Sequence, residues 1–225
     1  MQLTPELLLR AYAVGIFPMA ESRLDPDIHW IDPELRGVLP LDDVHLPRKL
    51  KRRILKGDFT IRVDHDFTGV IRGCAEPGHN RPETWINPTI ERLYIELAEM
   101  GFAHSVECWR QDPETGEEQL AGGLYGVSLG AAFFGESMFS RAPDASKVAL
   151  IHLVLRLRKG GFRLLDTQFT TPHLRQFGAI DLPRERYKAA LSSTLMQTAR
   201  FPAEFSEAEL RSGLQDLRLD NHRKA

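Results

Sequence analysis

The 225-residue sequence has only two cysteines, no apolar run of membrane length and no surplus of either charge. Cys74 and Cys108 lie far apart, and neither belongs to a C-x-x-C pair. A disulfide framework and a four-ligand zinc site are therefore excluded, and two reduced, buried thiols are expected. The longest apolar stretch, residues 148–155, is interrupted by His152 and is far shorter than the roughly 20 residues a bilayer requires. Residues 1–10 include Glu6 and no basic segment leading into an apolar run, so no secretory signal is read there. A soluble, cytoplasmic, monomeric protein without membrane contact is expected. The 8 histidines show no H-E-x-x-H or other paired-ligand spacing, which leaves a metal site without support. With 29 Lys+Arg against 31 Asp+Glu the net charge is −2, and as a global sum this argues against a nucleic-acid partner. Internal repeats and low-complexity tracts are absent as well.

What is present can bury a substantial core: 42% of residues are hydrophobic and 27% charged. The length suits one large domain with a small appendage. Residues 1–34 read as a small N-terminal domain, a helix opened by Thr4-Pro5-Glu6 and followed by a proline-dense irregular segment. Residues 35–204 read as the main domain, and residues 205–225 as a loosely held charged tail. Within the main domain, a basic helix over residues 48–56 ends at Gly57. An amphipathic helix follows Asn87-Pro88 and stops at Gly101. Strands over residues 103–109, 120–127 and 131–139 form a meander, its turns marked by residues 112–116 and 128–130. A helix capped by Asp144 or Ser146, a strand over residues 163–169 and a last helix over residues 184–200 complete the order. That order specifies an α+β fold with helices on both faces of a mixed sheet, an arrangement of the acetyltransferase (GNAT) type.

Strand periodicity places Phe134, Glu136 and Met138 on one face and Leu164, Asp166 and Gln168 on one face. If the two strands are neighbours, two carboxylates and a carboxamide converge among apolar side chains, an arrangement that is costly unless the charges are paired or used. Spacing alone favours the simpler account, in which Glu136 and Asp166 cap loops or pair with Arg141 and Lys147. Ser137 lacks the second glycine of G-x-S-x-G and lies inside a strand, so it does not read as a nucleophile. His104 and His152 read as structural, and His173 as a weak site candidate. Gly122-Gly123-Leu124-Tyr125-Gly126 opens no helix and reads as a strand closely approached by other backbone. Arg175-Gln176-Phe177-Gly178-Ala179-Ile180 misses the final small residue of an acyl-CoA phosphate turn, so no CoA or other cofactor is expected. The basic run is the other outlier: Arg48, Lys49, Lys51, Arg52, Arg53 and Lys56 stand without one acidic residue among them. Such a run is usually a solvated face, yet a phosphate backbone would relieve its self-repulsion.

Taken together, these stretches resemble the leucyl/phenylalanyl-tRNA–protein transferase family. The resemblance rests on residues 8–12 (Leu-Leu-Arg-Ala-Tyr), Gly15-Ile16-Phe17-Pro18, Thr84-Trp85-Ile86, residues 103–107 and 122–127, Gly135-Glu136-Ser137-Met138-Phe139-Ser140-Arg141, Ala145-Ser146-Lys147 and Leu165-Asp166-Thr167-Gln168. It runs from about Leu3 to about Tyr187. The resemblance implies a small N-terminal domain on an acetyltransferase-like domain. It also implies transfer of Leu or Phe, and less well Met, from aminoacyl-tRNA to proteins beginning with Lys or Arg, which marks them for degradation. Carried over residue by residue, it implies Asp166 and Gln168 as the catalytic pair and Glu136 near the acceptor peptide. Leu124, Met138 and Leu165 would line the donor side-chain pocket. Tyr12, Trp85 and Tyr94 would contact the terminal adenosine, and the basic helix would bind the tRNA acceptor stem. Two departures stand out: Met19 where the family often has Trp, and fewer residues before the first helix than family members often carry. Two other readings of the same residues are an aminoacyl-tRNA-dependent transferase with a different acceptor, a peptidoglycan precursor or small amine, and a non-enzymatic RNA-binding protein. The second leaves Glu136, Asp166 and Gln168 without a purpose.

Overall fold

Local signals in the sequence set most element ends. Thr4 accepts a hydrogen bond from the Leu7 backbone at 3.3 Å, Asp66 from Gly69 at 2.8 Å and Asn87 from Ile90 at 2.8 Å, each satisfying one of the donors left open at a helix start. A computed structural model describes residues 3–77, 83–112 and 114–220 of the chain. In chain order the first elements are α1 (Pro5–Ala13), β1 (Phe17–Met19), β2 (His29–Ile31), β3 (Leu35–Val38), β4 (His45–Pro47) and α2 (Arg48–Lys56). Next come β5 (Thr60–Val63), α3 (Phe67–Ala75), α4 (Pro88–Glu99), β6 (Ala103–Gln111), β7 (Glu118–Leu129) and β8 (Ala132–Ser140). The last are α5 (Ala145–Lys159), β9 (Leu164–Gln168), α6 (Pro172–Arg175), β10 (Ile180–Pro183), α7 (Arg184–Leu195), α8 (Glu207–Asp216) and β11 (Arg218–Asp220). Residue 113 of the expected β6–β7 turn lies outside the described residues.

The expected meander β6-β7-β8 is the centre of a seven-stranded sheet of order β10-β3-β9-β8-β7-β6-β5. Only the β8–β9 pair of this sheet is parallel, and α5 supplies the crossover that a parallel pair requires. Helices cover both faces, so the fold is α+β with a mixed sheet, as the element order implied. Leu50 and Ile54 of α2, the apolar side chains of α5 and Leu214 of α8 belong to one apolar cluster. Tyr12 of α1, Val70 and Ile71 of α3, Leu93 and Tyr94 of α4 and Tyr187 of α7 belong to the other. Leu8, Tyr12, Phe17 and Ala20 seat the N-terminal unit on that second cluster.

The C-terminal segment differs from the loose tail expected of residues 205–225. Within α5, residues 148–157 are all buried, including His152 and Arg156, so this helix is apolar around nearly its whole circumference. Its side away from the sheet needs a cover, and α8 supplies one: Leu214 and Leu217 are buried, and β11 pairs in parallel with β4. Arg156 donates to the carbonyls of Pro202 and Ala203, each at 3.1 Å, tying the connecting segment down. Residues 221–225 lie outside the described residues. At the other end of α5 a Cβ on Gly122 would come within 2.6 Å of the Ala145 Cβ, the close approach read from the glycine-rich strand. Both cysteines are buried and neither is in a disulfide, as expected.

Candidate active site

The parallel pairing of β8 and β9 sets Phe134 beside Asp166 and brings the two carboxylate-bearing strands together. Their side chains are placed by an irregularity that strict alternation does not contain. Gly126 of β7 faces Gly135 of β8, but the next residue, Tyr125, faces Ser137, so Glu136 is the extra residue of a β-bulge. The phase of the strand reverses there. Phe134 and Glu136 point toward α1 and α4, whereas Met138 turns to the opposite face and packs with Leu124, its cross-strand partner. The expectation that Phe134, Glu136 and Met138 share a face is thereby corrected.

Glu136 is half-buried and accepts hydrogen bonds from the Tyr12 hydroxyl at 2.6 Å, the Tyr94 hydroxyl at 2.9 Å and the Gln168 side-chain amide at 3.1 Å. The two tyrosine hydroxyls also touch each other. Burial pushes the Glu136 carboxyl up to about 7; the tyrosine hydrogen bonds and the Arg36 charge pull it down, while the Asp166 charge pushes it further up. Burial, reinforced by the Glu136 charge, holds both tyrosines well above the ordinary phenol range, so they remain donors. Tyr12 and Tyr94 are fully buried and offer no ring face to a base. Their hydroxyls hold the Glu136 carboxylate.

Asp166 is fully buried and is held by Arg36 and Tyr187. Arg36 Nη2 donates at 2.6 Å, Arg36 Nε at 2.9 and 3.1 Å, and the Tyr187 hydroxyl at 2.6 Å. The guanidinium lies between the Phe17 and Tyr187 rings, 4.4 and 4.6 Å from their centroids, and donates to the Gly15 carbonyl at 2.9 Å. A fork of this kind needs Arg, since it pairs both carboxylate oxygens while stacking on rings. Neither Arg36 nor Tyr187 was singled out from the sequence. The available signal was a charged residue inside the apolar strand Leu35–Val38, which must find a counter-charge. The simpler pairing is excluded as well: Arg141 bonds Glu76 at 2.7 Å and Lys147 bonds Asp144 at 2.9 Å.

Asp166 Oδ1 also accepts the Gln168 backbone N–H at 2.8 Å and fixes Gln168 at φ 53, the left-handed region that non-glycine residues seldom occupy. The chain turns there and passes over Gly37, where a Cβ would come within 2.6 Å of the Phe169 backbone. Asp166 itself does not line the cavity; its effect reaches the site through Gln168.

Beside Glu136 and Gln168 lies a cavity of about 600 Å³. Leu124, Met138 and Leu165, the expected donor pocket, line it together with Leu150 and Leu153 from α5. Trp85, Met19 and the exposed Phe169 line it as well. Trp85 is thus the one expected aromatic contact that reaches the cavity. The basic helix α2 is anchored by Leu50 and Ile54, four residues apart and buried in the cluster that includes Leu124 and Leu165. Arg48, Lys49, Arg52 and Lys56 are exposed. Lys51 donates to the Leu214 carbonyl at 2.9 Å, and Lys56 pairs with Asp58 at 3.0 Å. Arg53 pairs with Asp144 at 3.3 Å, two residues before Ser146 of the cavity wall. No helix among the described residues is long and apolar enough to cross a membrane.

Comparison with known proteins adds an independent line. A family model described as leucyl/phenylalanyl-tRNA protein transferase matches residues 38–192, and one described as the N-terminal domain of that transferase matches residues 1–34. The chain is 57% identical over 202 residues to the leucyl/phenylalanyl-tRNA–protein transferase of Rhodopseudomonas palustris (strain HaA2), covering 90% of this chain and 88% of the relative. It is 58% identical over 199 residues to that of Paramagnetospirillum magneticum (strain ATCC 700264 / AMB-1), covering 88% and 92%. To that of Cereibacter sphaeroides (strain ATCC 17025 / ATH 2.4.3) it is 58% identical over 199 residues, covering 88% of each.

Proposed function

The chain belongs to the leucyl/phenylalanyl-tRNA protein transferase family, and from that premise we propose the following reading of its site. The enzyme moves leucine or phenylalanine, and methionine less well, from aminoacyl-tRNA to the α-amino group of proteins that begin with lysine or arginine, marking them for degradation. The observation that carries the proposal is an apolar cavity bounded by a half-buried carboxylate and a carboxamide. A branched or aromatic donor side chain fills the part lined by Leu124, Met138 and Leu165. Leu, Phe and Met are separated there only by about 1–3 kcal/mol, the discrimination an apolar pocket provides per methylene.

Aminolysis of the ester is downhill, so positioning dominates the catalytic requirement. The acceptor amine attacks the ester carbonyl, a C–N bond forms, the bond to the ribose oxygen breaks, and the proton lost by the amine ends on that oxygen. The Gln168 amide nitrogen is committed to Glu136, which leaves the carboxamide oxygen to accept a hydrogen from the attacking amine. Asp166, held by Arg36 and Tyr187, is the positioning residue that fixes the Gln168 backbone. Glu136 takes the cationic side chain of the acceptor or its ammonium. Trp85 remains the stacking surface for the terminal adenosine. No covalent intermediate is required.

Labelled Leu or Phe transfer to peptides that differ only in their first residue tests the reading. Lys- and Arg-initial peptides are expected to be labelled and Ala- or Glu-initial ones not; equal labelling of all peptides, or of small amines, overturns it. The exposed face of α2 is assigned to the acceptor stem, which it grips through phosphates and without reading sequence. Replacing Arg48, Lys49 and Arg52 with Gln is expected to weaken tRNA binding and reduce the slope of log K against log salt by about 2–3. An unchanged slope in a binding titration rules this helix out as the contact.

A further inference from the structure

The hydroxyls of Tyr12 and Tyr94 and the Glu136 carboxyl form a closed ring of polar contacts. Tyr12 reaches Glu136 Oε1 at 2.6 Å, Tyr94 reaches Glu136 Oε2 at 2.9 Å, and the two hydroxyl oxygens are in hydrogen-bond contact with each other. The members come from α1, α4 and β8, the first of these in the N-terminal unit. Both tyrosines are fully buried, so water does not take part in the ring. Phe134 packs on Tyr12 at 4.7 Å and Tyr125 of β7 packs edge-on to Tyr94 at 5.3 Å, which fixes both phenols in place.

A count of hydrogens decides what this ring can do. With Glu136 ionised, the two phenolic hydrogens serve three contacts, and one contact is left without a hydrogen. With Glu136 protonated, every contact is filled: the carboxyl hydrogen goes to Tyr94, the Tyr94 hydrogen to Tyr12 and the Tyr12 hydrogen to Glu136 Oε1. The ring is thus one proton short while the carboxylate is charged. Glu136 lines the cavity and can receive that proton there. Burial brings its carboxyl up to about 7; the tyrosine hydrogen bonds oppose the rise, the Asp166 charge from β9 adds to it and the Arg36 charge from β3 opposes it. A carboxylate in this range is a competent base toward an α-ammonium, which ordinarily titrates at about 7.7–8. Gln168 donates to Glu136 Oε1 at 3.1 Å, so the carboxylate and the carboxamide adjoin on the cavity wall. An ammonium carries three N–H groups and can address both.

We propose that Glu136, its ring completed by Tyr12 and Tyr94, is the base that takes a proton from the α-ammonium of the acceptor and so generates the attacking amine. The inference rests on the aminoacyl-transfer reading above. An N–H bond breaks, an O–H bond forms at Glu136, the carboxylate is neutralised and the nitrogen keeps the electron pair. The amine, held at the Gln168 carboxamide oxygen, then attacks the ester, and the proton it loses in that step goes to the ribose oxygen. Glu136 returns its own proton to water once the product has left. Tyr12 and Tyr94 touch no substrate and act as positioning residues.

The test compares kcat/KM for an Arg-initial peptide, at saturating Phe-tRNA, between wild type and Glu136→Gln from about pH 6 to about pH 8. The variant has no base and uses only the free amine that solution supplies, a fraction that rises with pH. Its deficit is therefore expected to shrink about tenfold across that interval. A carboxylate that merely holds the cationic side chain gives the opposite sign, because its ionisation through about 7 makes the deficit grow. Tyr12→Phe and Tyr94→Phe preserve the ring packing and remove one hydroxyl each. Each is expected to move the acid limb of the profile up by about one pH unit, since the ionised carboxylate loses a donor. A loss of rate with the limb unmoved in both overturns the role given to the hydroxyl ring. Wild type that labels no Arg- or Lys-initial peptide with Leu or Phe overturns the functional reading and this proposal with it. Active wild type with a level or growing Glu136→Gln deficit overturns this proposal alone.

Discussion

Arg36→Met is expected to destabilise the protein by about 3–5 kcal/mol, the consequence of leaving one charge of a buried pair without its partner. For a chain of this size that is a fall of about 10 °C in the thermal midpoint. The size of the effect follows from the Asp166 environment. The carboxylate is 0% exposed and Arg36 1%, so water cannot replace the lost guanidinium. The Tyr187 hydroxyl and the Gln168 amide remain as donors, but neither supplies charge. Combining Arg36→Met with Asp166→Asn is expected to regain part of the stability, because the second change removes the stranded charge. Scanning calorimetry of Arg36→Met, Asp166→Asn and the double variant decides it: Arg36→Met as stable as wild type, or a double variant no better than Arg36→Met, contradicts the role given to this pair. Transfer activity is expected to fall in all three, since the Asp166 side chain that holds the Gln168 backbone loses its own support or its charge in each.

Glu136→Gln is expected to reduce kcat/KM for Arg- and Lys-initial peptides by about 100-fold or more, through loss of the charge that receives the acceptor cation. The same substitution has a stability signature of opposite sign. Burial raises the Glu136 carboxyl from 4.5 to about 7, so the folded state favours the protonated form. The stability contributed by that preference is fully present below about pH 4.5 and is lost as pH rises through about 7. The uncharged carboxamide of the Glu136→Gln variant resembles the protonated acid at every pH. The midpoint of that variant should therefore gain on wild type between about pH 4.5 and 7 and run parallel to it above. Parallel curves across the whole range would show that burial of this carboxylate carries no ionisation cost. Such a cost at a cavity is compatible with the use proposed above for this carboxylate, receipt of a cationic acceptor.

Much of the architecture was legible from residue pattern. The caps at Thr4 and Asn87, the apolar stripe of α4 and the alternation in the meander are local properties, decided by residues three, four or two apart. The basic helix was legible for the same reason, with Leu50 and Ile54 inward and the cations outward. The near-neutral total charge concealed it, because acidic residues elsewhere cancel six cations gathered in nine positions.

What pattern could not supply were the contacts between distant segments. Arg36 and Asp166 are 130 residues apart, and Tyr12 and Glu136 are 124 apart. No local period links such positions, and only the pairing of β3 with β9 and the seating of α1 on the sheet bring them together. The family resemblance implies Tyr12 and Tyr94 as adenosine contacts, and packing encloses both rings and turns their hydroxyls onto Glu136. The bulge at Glu136 is of the same kind. Alternation assigns Met138 to the wrong face, because one unpaired residue reverses every later side chain in the strand. Residue order alone was enough for the residue types of the site, for the helices and strands that carry them and for the family to which they belong. Which charges neutralise each other, which rings are closed to a ligand and which side chains share the cavity were settled only by the folded arrangement, because burial and charge pairing are properties of what surrounds a residue in space.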